Sequence, residues 1–120
     1  MSVPVDLTAL AALVRELGPE TLLATVTDDG RPHIVSVVAT WNDSSIECGA
    51  GRRTRANIES NSSATLIWPT VRDGAYRLIV DGTAVITTDA ERISITPTAA
   101  VLHRISTAPD DGPTCVAIEV

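Results

Sequence analysis

Three arginines in four positions, Arg52, Arg53 and Arg55, follow the turn Cys48-Gly49-Ala50-Gly51 and open a stretch, Arg52 to Ser60, that reads as a short helix. A helix N-terminus carries partial positive charge and unpaired N–H groups, so each exposed arginine there is disfavoured by about 0.3–1 kcal/mol. An anion bound at the same corner reverses that sign. Gly49 and Gly51 allow the backbone to approach a ligand closely, Thr54 offers a hydroxyl, and Asn57, one turn further on, offers an amide. A strand end, a glycine turn, arginines and a helix start together describe a phosphate cradle that needs no Walker motif. The same residues also suit a solvated face that balances acids such as Glu59.

Other chemistry is less well supported by residue type and spacing. His33 and His103 are the only histidines. His33 and Ser36 would make a nucleophile and base, but three positions apart on a strand they fall on opposite faces, and no G-x-S-x-G elbow is present. His33, beside Pro32 at a strand start, is expected on the surface or at a cleft rim. His103 suits either a structural role or an approach to a second subunit's ligand. Two His, Cys48, Cys115 and scattered carboxylates show none of the usual metal spacings, so no metal site is expected. Asp28, Asp29, Asp110 and Asp111 read as turn residues. Trp41 and Trp68 read as core or subunit-interface anchors.

The elements that must position the arginines come from a chain of 120 residues, a length that fits one domain with one core, residues 1–120. Its apolar residues are almost wholly Val, Ile, Leu and Ala, with no Phe and only Trp41, Trp68 and Tyr76 as aromatic residues, which favours strands and excludes disorder. The net charge is −6 and all nine basic residues are arginine, so the positive charge is local and general nucleic-acid binding is not expected. The opening "MSVPVDLTAL" lacks a basic n-region and an uninterrupted apolar run, no segment approaches the roughly 20 apolar residues of a membrane span, and the two cysteines lack a C-x-x-C spacing. A cytoplasmic location with reduced thiols and no membrane partner is expected.

Leu7, Leu10, Leu13, Val14 and Leu17 recur at helical spacing, with Asp6 placed as N-cap and Gly18-Pro19 as the stop. The period then changes. "TLLATVT" and "HIVSVVAT" are β-branched runs around "DDGRP", a hairpin signal. Both runs are apolar on both faces, as expected where one face lines a core and the other meets a helix or a second subunit. "SIECG" precedes the arginine helix, and "SATLIWP", "YRLIVDGTAVITT", "RISIT" and "TCVAIEV" follow it. In the second of these, Tyr76, Leu78, Val80, Gly82, Ala84 and Ile86 share one side, and Gly82 marks a bulge or tight bend. "TPTAAVLHR" is ambiguous between strand and helix. Six or seven strands and two helices predict a small, mainly antiparallel barrel.

The run "LLATVTDDGRPHIVSVVATW…IECGAGRRTRANIESNSSATLIW…YRLIVDGTAVI", with an echo in "ITPTAAVLHR", resembles the FMN-binding split-barrel superfamily, the pyridoxamine 5′-phosphate oxidase-like proteins. The resemblance implies a six-stranded antiparallel split β-barrel with an N-terminal helix and one short helix, paired as a homodimer, with FMN in a cleft at the subunit boundary. It implies that Arg52, Arg53 and Thr54 hold the flavin phosphate with Asn57 close by, that backbone groups of Val35, Ser36 and Val37 face the pyrimidine edge, and that Cys48 and Gly49 border the ribityl chain. A ring of Trp68 beside the flavin is a further option. The cofactor would carry the redox chemistry on a small-molecule substrate, and no catalytic side chain is required. Many such proteins have Lys where Thr54 stands and Pro where Ser62 stands, a departure that implies either a loss of flavin affinity or a preference for the deazaflavin coenzyme F-420. The chain also lacks the arginine-bearing C-terminal segment of true pyridoxamine phosphate oxidases, so vitamin B6 is not assigned as substrate. An FMN- or deazaflavin-dependent oxidoreductase is therefore the first expectation, a non-catalytic carrier or sensor of flavin, deazaflavin or haem the second, and a cofactor-free interaction domain the third.

Overall fold

A computed structural model describes residues 2–71, 74–89 and 91–105. The strand expected at "TCVAIEV", with Asp110, Asp111 and Cys115, lies outside the described residues.

The chain forms β1 (Ser2–Pro4), α1 (Leu7–Leu17), β2 (Glu20–Val26), β3 (Pro32–Asn42), β4 (Ser45–Gly49), α2 (Arg52–Ser60), β5 (Ser63–Ile67), β6 (Arg77–Ile86) and β7 (Arg92–His103). Six strands run in the order β7-β4-β3-β2-β5-β6, every pairing is antiparallel, and β6 pairs back onto β7 to close a barrel. The expected six-stranded barrel with two helices is therefore present.

Alternation decides the interior. Leu23 of β2, Ile46 and Cys48 of β4, Leu66 of β5, Leu78 and Val80 of β6, and Ile93 and Ile95 of β7 are fully buried. Each such large side chain contributes about 1.5–3 kcal/mol relative to remaining exposed. Trp68 just beyond β5 is fully buried as well, and its Nε1–H donates to the Gly18 carbonyl at 2.9 Å, which ties the core to the end of α1.

The side chain of Asp6 caps α1 by accepting from the Thr8 N–H at 3.0 Å, and Leu10, Leu13, Val14 and Leu17 form its buried stripe. At its other end Gly18 takes φ 87° and donates to the Val14 carbonyl at 3.0 Å, a left-handed stop that suits glycine. The Asp-Gly turn joins β2 and β3: Thr27 N–H donates to the Arg31 carbonyl, and Gly30 has φ 85°. Asp29 pairs with Arg31 at 3.4 Å on the open surface, so this acid serves the turn as expected.

The ambiguous stretch "TPTAAVLHR" is strand as far as His103. Ala100 and Leu102 point inward in step with Val80 and Leu78 of β6, and burial of that alternating pair favours extended backbone. Between Asp81 and Gly82 the register shifts by one residue, because Asp81 faces Ala99 and Gly82 faces Pro97. Thr98 is the extra residue, and a bulge is where Pro97 is tolerated in a ladder. A Cβ on Gly82 would lie 2.6 Å from the Thr96 carbonyl oxygen and 2.6 Å from Ile95 Cγ2, which accounts for the glycine. Sequence alone assigned no element to β1, a three-residue strand on the distal end of β7 that is too short to show a period.

Candidate functional site

The site begins where two neighbouring strands separate. β3 pairs with β2 from Pro32 to Val38, but it pairs with β4 only from Ala39 to Asn42. Beyond Ala39, β4 turns aside at Gly49 towards β7, where Gly49 pairs with Arg92 and Ala50 N–H donates to the Glu91 carbonyl at 2.8 Å. The Ala39 N–H donates to the Pro19 carbonyl at 2.8 Å on the β2 side. Since main-chain groups alternate along a strand, those of His33, Val35 and Val37 are also directed at β2, and those of Ile34 and Ser36 are directed into the gap, with Val38 at its closed end where β4 begins to pair. Among the described residues no strand fills that gap. Of the three residues expected to offer main-chain groups to a ligand, Ser36 alone has them directed at the gap, and those of Val35 and Val37 face β2 while both residues line the cleft wall.

Helix α2 forms the opposite wall. Gly51 is its N-cap and no side chain caps it, and the first turn contains no acid. The first intrahelical bond runs from Arg55 N–H to the Gly51 carbonyl at 3.0 Å, which leaves the N–H groups of Arg52, Arg53 and Thr54 without helical acceptors. Thr54, Asn57 and Ile58 are buried and dock the helix. Asn57 Nδ2 donates to Thr25 Oγ1 at 3.1 Å inside the protein, fixing the helix against β2.

The three arginines then separate by role. Arg55 donates from Nη1 to the Ala50 carbonyl at 2.6 Å and so braces the glycine turn. Arg52 and Arg53 remain exposed, and among the described residues neither takes part in an ion pair. Two unneutralised guanidinium groups therefore stand at the positive end of a helix dipole.

Between these walls lies an open cleft of about 340 Å³. His33, Val35, Ser36 and Val37 line it from β3, and Gly49, Gly51, Arg52, Arg53 and Thr54 line it from the turn and helix. Open space lies where a Cβ on Gly49 or Gly51 would project. Seven of the nine residues singled out from the sequence meet here. The other two do not: Asn57 acts from behind the helix, and Cys48 is fully buried in the barrel core. Its inward position follows from strand alternation, with Gly49 next to it turned outward. Burial pushes the Cys48 thiol up to about 11, partly countered by the charge of Arg92. Trp68 is likewise core, and His103 sits at the end of β7 with its Nδ1 3.2 Å from Ser2 Oγ. Gly51, read from the sequence as part of the glycine turn, lines the cleft with Gly49, and His33, expected on the surface or at a cleft rim, lines it from β3.

The chemistry of this donor set is that of an anion site joined to an apolar slot: free helix N–H groups, two guanidinium groups, a buried threonine and a valine-lined strand with one open hydrogen-bonding edge. Among the described residues no three His, Cys, Asp or Glu side chains gather as a metal site, and no helix is long and apolar enough to cross a membrane.

Comparison with known proteins agrees with the fold. Residues 10–117 match the family described as pyridoxamine 5′-phosphate oxidase. An uncharacterized protein of Mycobacterium bovis is 36% identical over 121 residues, covering 88% of this chain and 84% of the relative. Among solved structures, an F420 reductase superposes with a TM-score of 0.57 at 19% identity, over 82% of this chain and 98% of that one. HutZ, the haem storage protein of Vibrio cholerae, superposes with a TM-score of 0.57 at 15% identity, over 81% and 94%. The match over most of the chain and the closed split barrel together place this protein in the pyridoxamine 5′-phosphate oxidase-like family.

Proposed function

We propose that the protein is an FMN-dependent oxidoreductase acting on a small organic molecule, with the flavin phosphate held at the start of α2. The observation that carries this reading is the pair of unneutralised arginines, Arg52 and Arg53, at an uncapped helix N-terminus that shares a cleft with an apolar strand. Arg52, Arg53 and the N–H groups of the first turn bind the phosphate. The side chains of Val35 and Val37 and the open edge at Ser36 orient the ring. Bound flavin supplies the hydride or electron transfer. The donor set serves the deazaflavin coenzyme F-420 by the same contacts, and the similarity to a reductase of that name supports keeping it as the alternative cofactor.

The cleft volume is near the lower end of the roughly 300–1,000 Å³ typical of ligand sites, and the cleft is open on one side. Ile34 and Val38, 56% and 62% exposed, stand on the outer face of β3 beside a second concavity formed by Glu20, Leu22 and Pro69. Ser36 and Val37 line both hollows. A homodimer that covers this apolar face would supply the missing wall, which is the reading we adopt for the assembly.

The test is the absorbance spectrum of purified protein, followed by titration with FMN and with coenzyme F-420. Micromolar binding of either that is lost in Arg53→Ala, with unchanged size by light scattering, supports the reading. No uptake of either cofactor would remove it. The second reading is a non-catalytic ligand carrier, favoured by the similarity to a haem storage protein. Rapid reduction of the bound cofactor by a nicotinamide donor, and reoxidation by an acceptor, would exclude that second reading.

A further inference from the structure

His33 carries the one buried side-chain polar atom without a hydrogen-bond partner among the described residues, its Nδ1. The residue also lines the cleft, on the same wall as Val35 and opposite Arg52, Arg53 and Thr54. We propose that His33 is a ligand-contact residue whose Nδ1–H donates to an oxygen on the phosphate-bearing tail of the cofactor; this rests on the reading of the cleft given above.

The argument starts from the rarity of such atoms. Buried polar groups in folded proteins nearly always have a partner, and each exception calls for an explanation. His33 has a polar neighbour across the ladder in Thr25, yet the Thr25 hydroxyl oxygen accepts from Asn57, and no bond joins it to the imidazole. Strand alternation directs the His33 side chain to the inner face with Val35 and Val37, while the main-chain groups of all three face β2. The imidazole is therefore held at the cleft by the backbone, with one nitrogen shielded from bulk water. The imidazole χ2 torsion is soft, so a modest rotation about Cβ–Cγ turns the Nδ1 edge toward the cleft.

The neighbours select the partner. The residues around the cleft include two guanidinium groups, free helix N–H groups and a threonine, and no carboxylate. An electron-rich oxygen is the group these donors gather, and the imidazole N–H adds one more donor to the set. Phosphate oxygens and ribityl hydroxyls share that chemistry.

A core histidine and a ligand-contact histidine respond in opposite ways to removal of the nitrogen. The test uses the full chain with two substitutions, His33→Phe, which keeps a ring and removes both nitrogens, and His33→Asn, whose amide nitrogen replaces Nδ1. Affinity for FMN and for riboflavin is read by flavin fluorescence quenching, and the melting temperature is read on the cofactor-free protein. The expected result is that His33→Phe loses about tenfold to a hundredfold in FMN affinity, melts at or above the wild-type temperature without cofactor, and that His33→Asn recovers part of the affinity. A loss seen for FMN alone assigns the phosphate as acceptor, and a loss for riboflavin as well assigns a ribityl hydroxyl. If wild type and His33→Phe bind FMN equally while Arg53→Ala does not, the His33 assignment is overturned and the cleft reading stands. A lower melting temperature of cofactor-free His33→Phe with no rescue of affinity by His33→Asn would identify a core residue and overturn it as well. Failure of the wild type to bind either cofactor removes both.

Discussion

Replacing Gly51 by aspartate should move stability and ligand affinity in opposite directions, because one position serves as both helix cap and site wall. Gly51 is the N-cap of α2 with φ −70° and ψ 174°, an extended conformation open to any residue, and nothing lies within 4 Å of a Cβ built there. An aspartate carboxylate at that position can accept from the free N–H of Arg53 or Thr54. Over glycine this cap contributes a few tenths of a kcal/mol, and the helix dipole adds about 0.3–1 kcal/mol, so a gain of about 1 kcal/mol and a melting temperature higher by about 3 °C are expected. The same carboxylate stands beside the proposed phosphate. At about 5 Å and an effective dielectric of about 40, the repulsion is about 1.7 kcal/mol per pair of unit charges, or about 3 kcal/mol against a phosphate of nearly two charges, which is roughly a hundredfold in affinity. Thermal melts of the cofactor-free protein and FMN titrations at fixed ionic strength measure the two effects, and salt should narrow the affinity gap. A variant that melts several degrees lower, or one that binds FMN as tightly as wild type, would refute the reasoning, the first for the cap and the second for the site.

Three further outcomes follow from the barrel. Gly82→Ala sets a methyl group 2.6 Å from the Thr96 carbonyl at the bulge, so it should lose about 1–3 kcal/mol of stability in urea unfolding without altering flavin contacts. Cys48 should resist thiol reagents at pH 8 in a Cys115→Ser background until the protein unfolds. Its thiol stays neutral in the folded state to about pH 11, against an ordinary value of 9.0. The unfolded chain therefore loses its proton first, and the stability Cys48 contributes is complete below pH 9 and declines between pH 9 and 11. Comparing urea midpoints of wild type and Cys48→Ala across that window isolates the effect, and equal pH slopes would count against it.

Much of the architecture was legible because local rules and burial agree. The α1 stripe, its Asp6 cap and Gly18 stop, the β2–β3 hairpin at Asp29-Gly30 and the glycine at the β6 bulge each follow from periodicity or from backbone freedom at one position. The stretch after Ile95 was not legible, since "TPTAAVLHR" fits two periods and only pairing along β6 makes it strand. β1 had no readable signal, because three residues acquire their conformation from an existing edge of β7.

The site divides along the same line. Residue types and their order alone determined that a cation cluster follows a glycine turn at a helix start, because dipole, glycine geometry and charge are local properties. Which cations are available was decided only by the fold: Arg55 is turned back onto Ala50, whereas Arg52 and Arg53 face the cleft. The cleft itself exists because β4 stays paired with β7 as far as Gly49 while its pairing with β3 ends at Ala39 and Cys48, a long-range pairing that closes the barrel and leaves one strand edge open at Ser36. Pairing between residues more than forty positions apart is set by the total burial of the barrel, and no local window of sequence contains it.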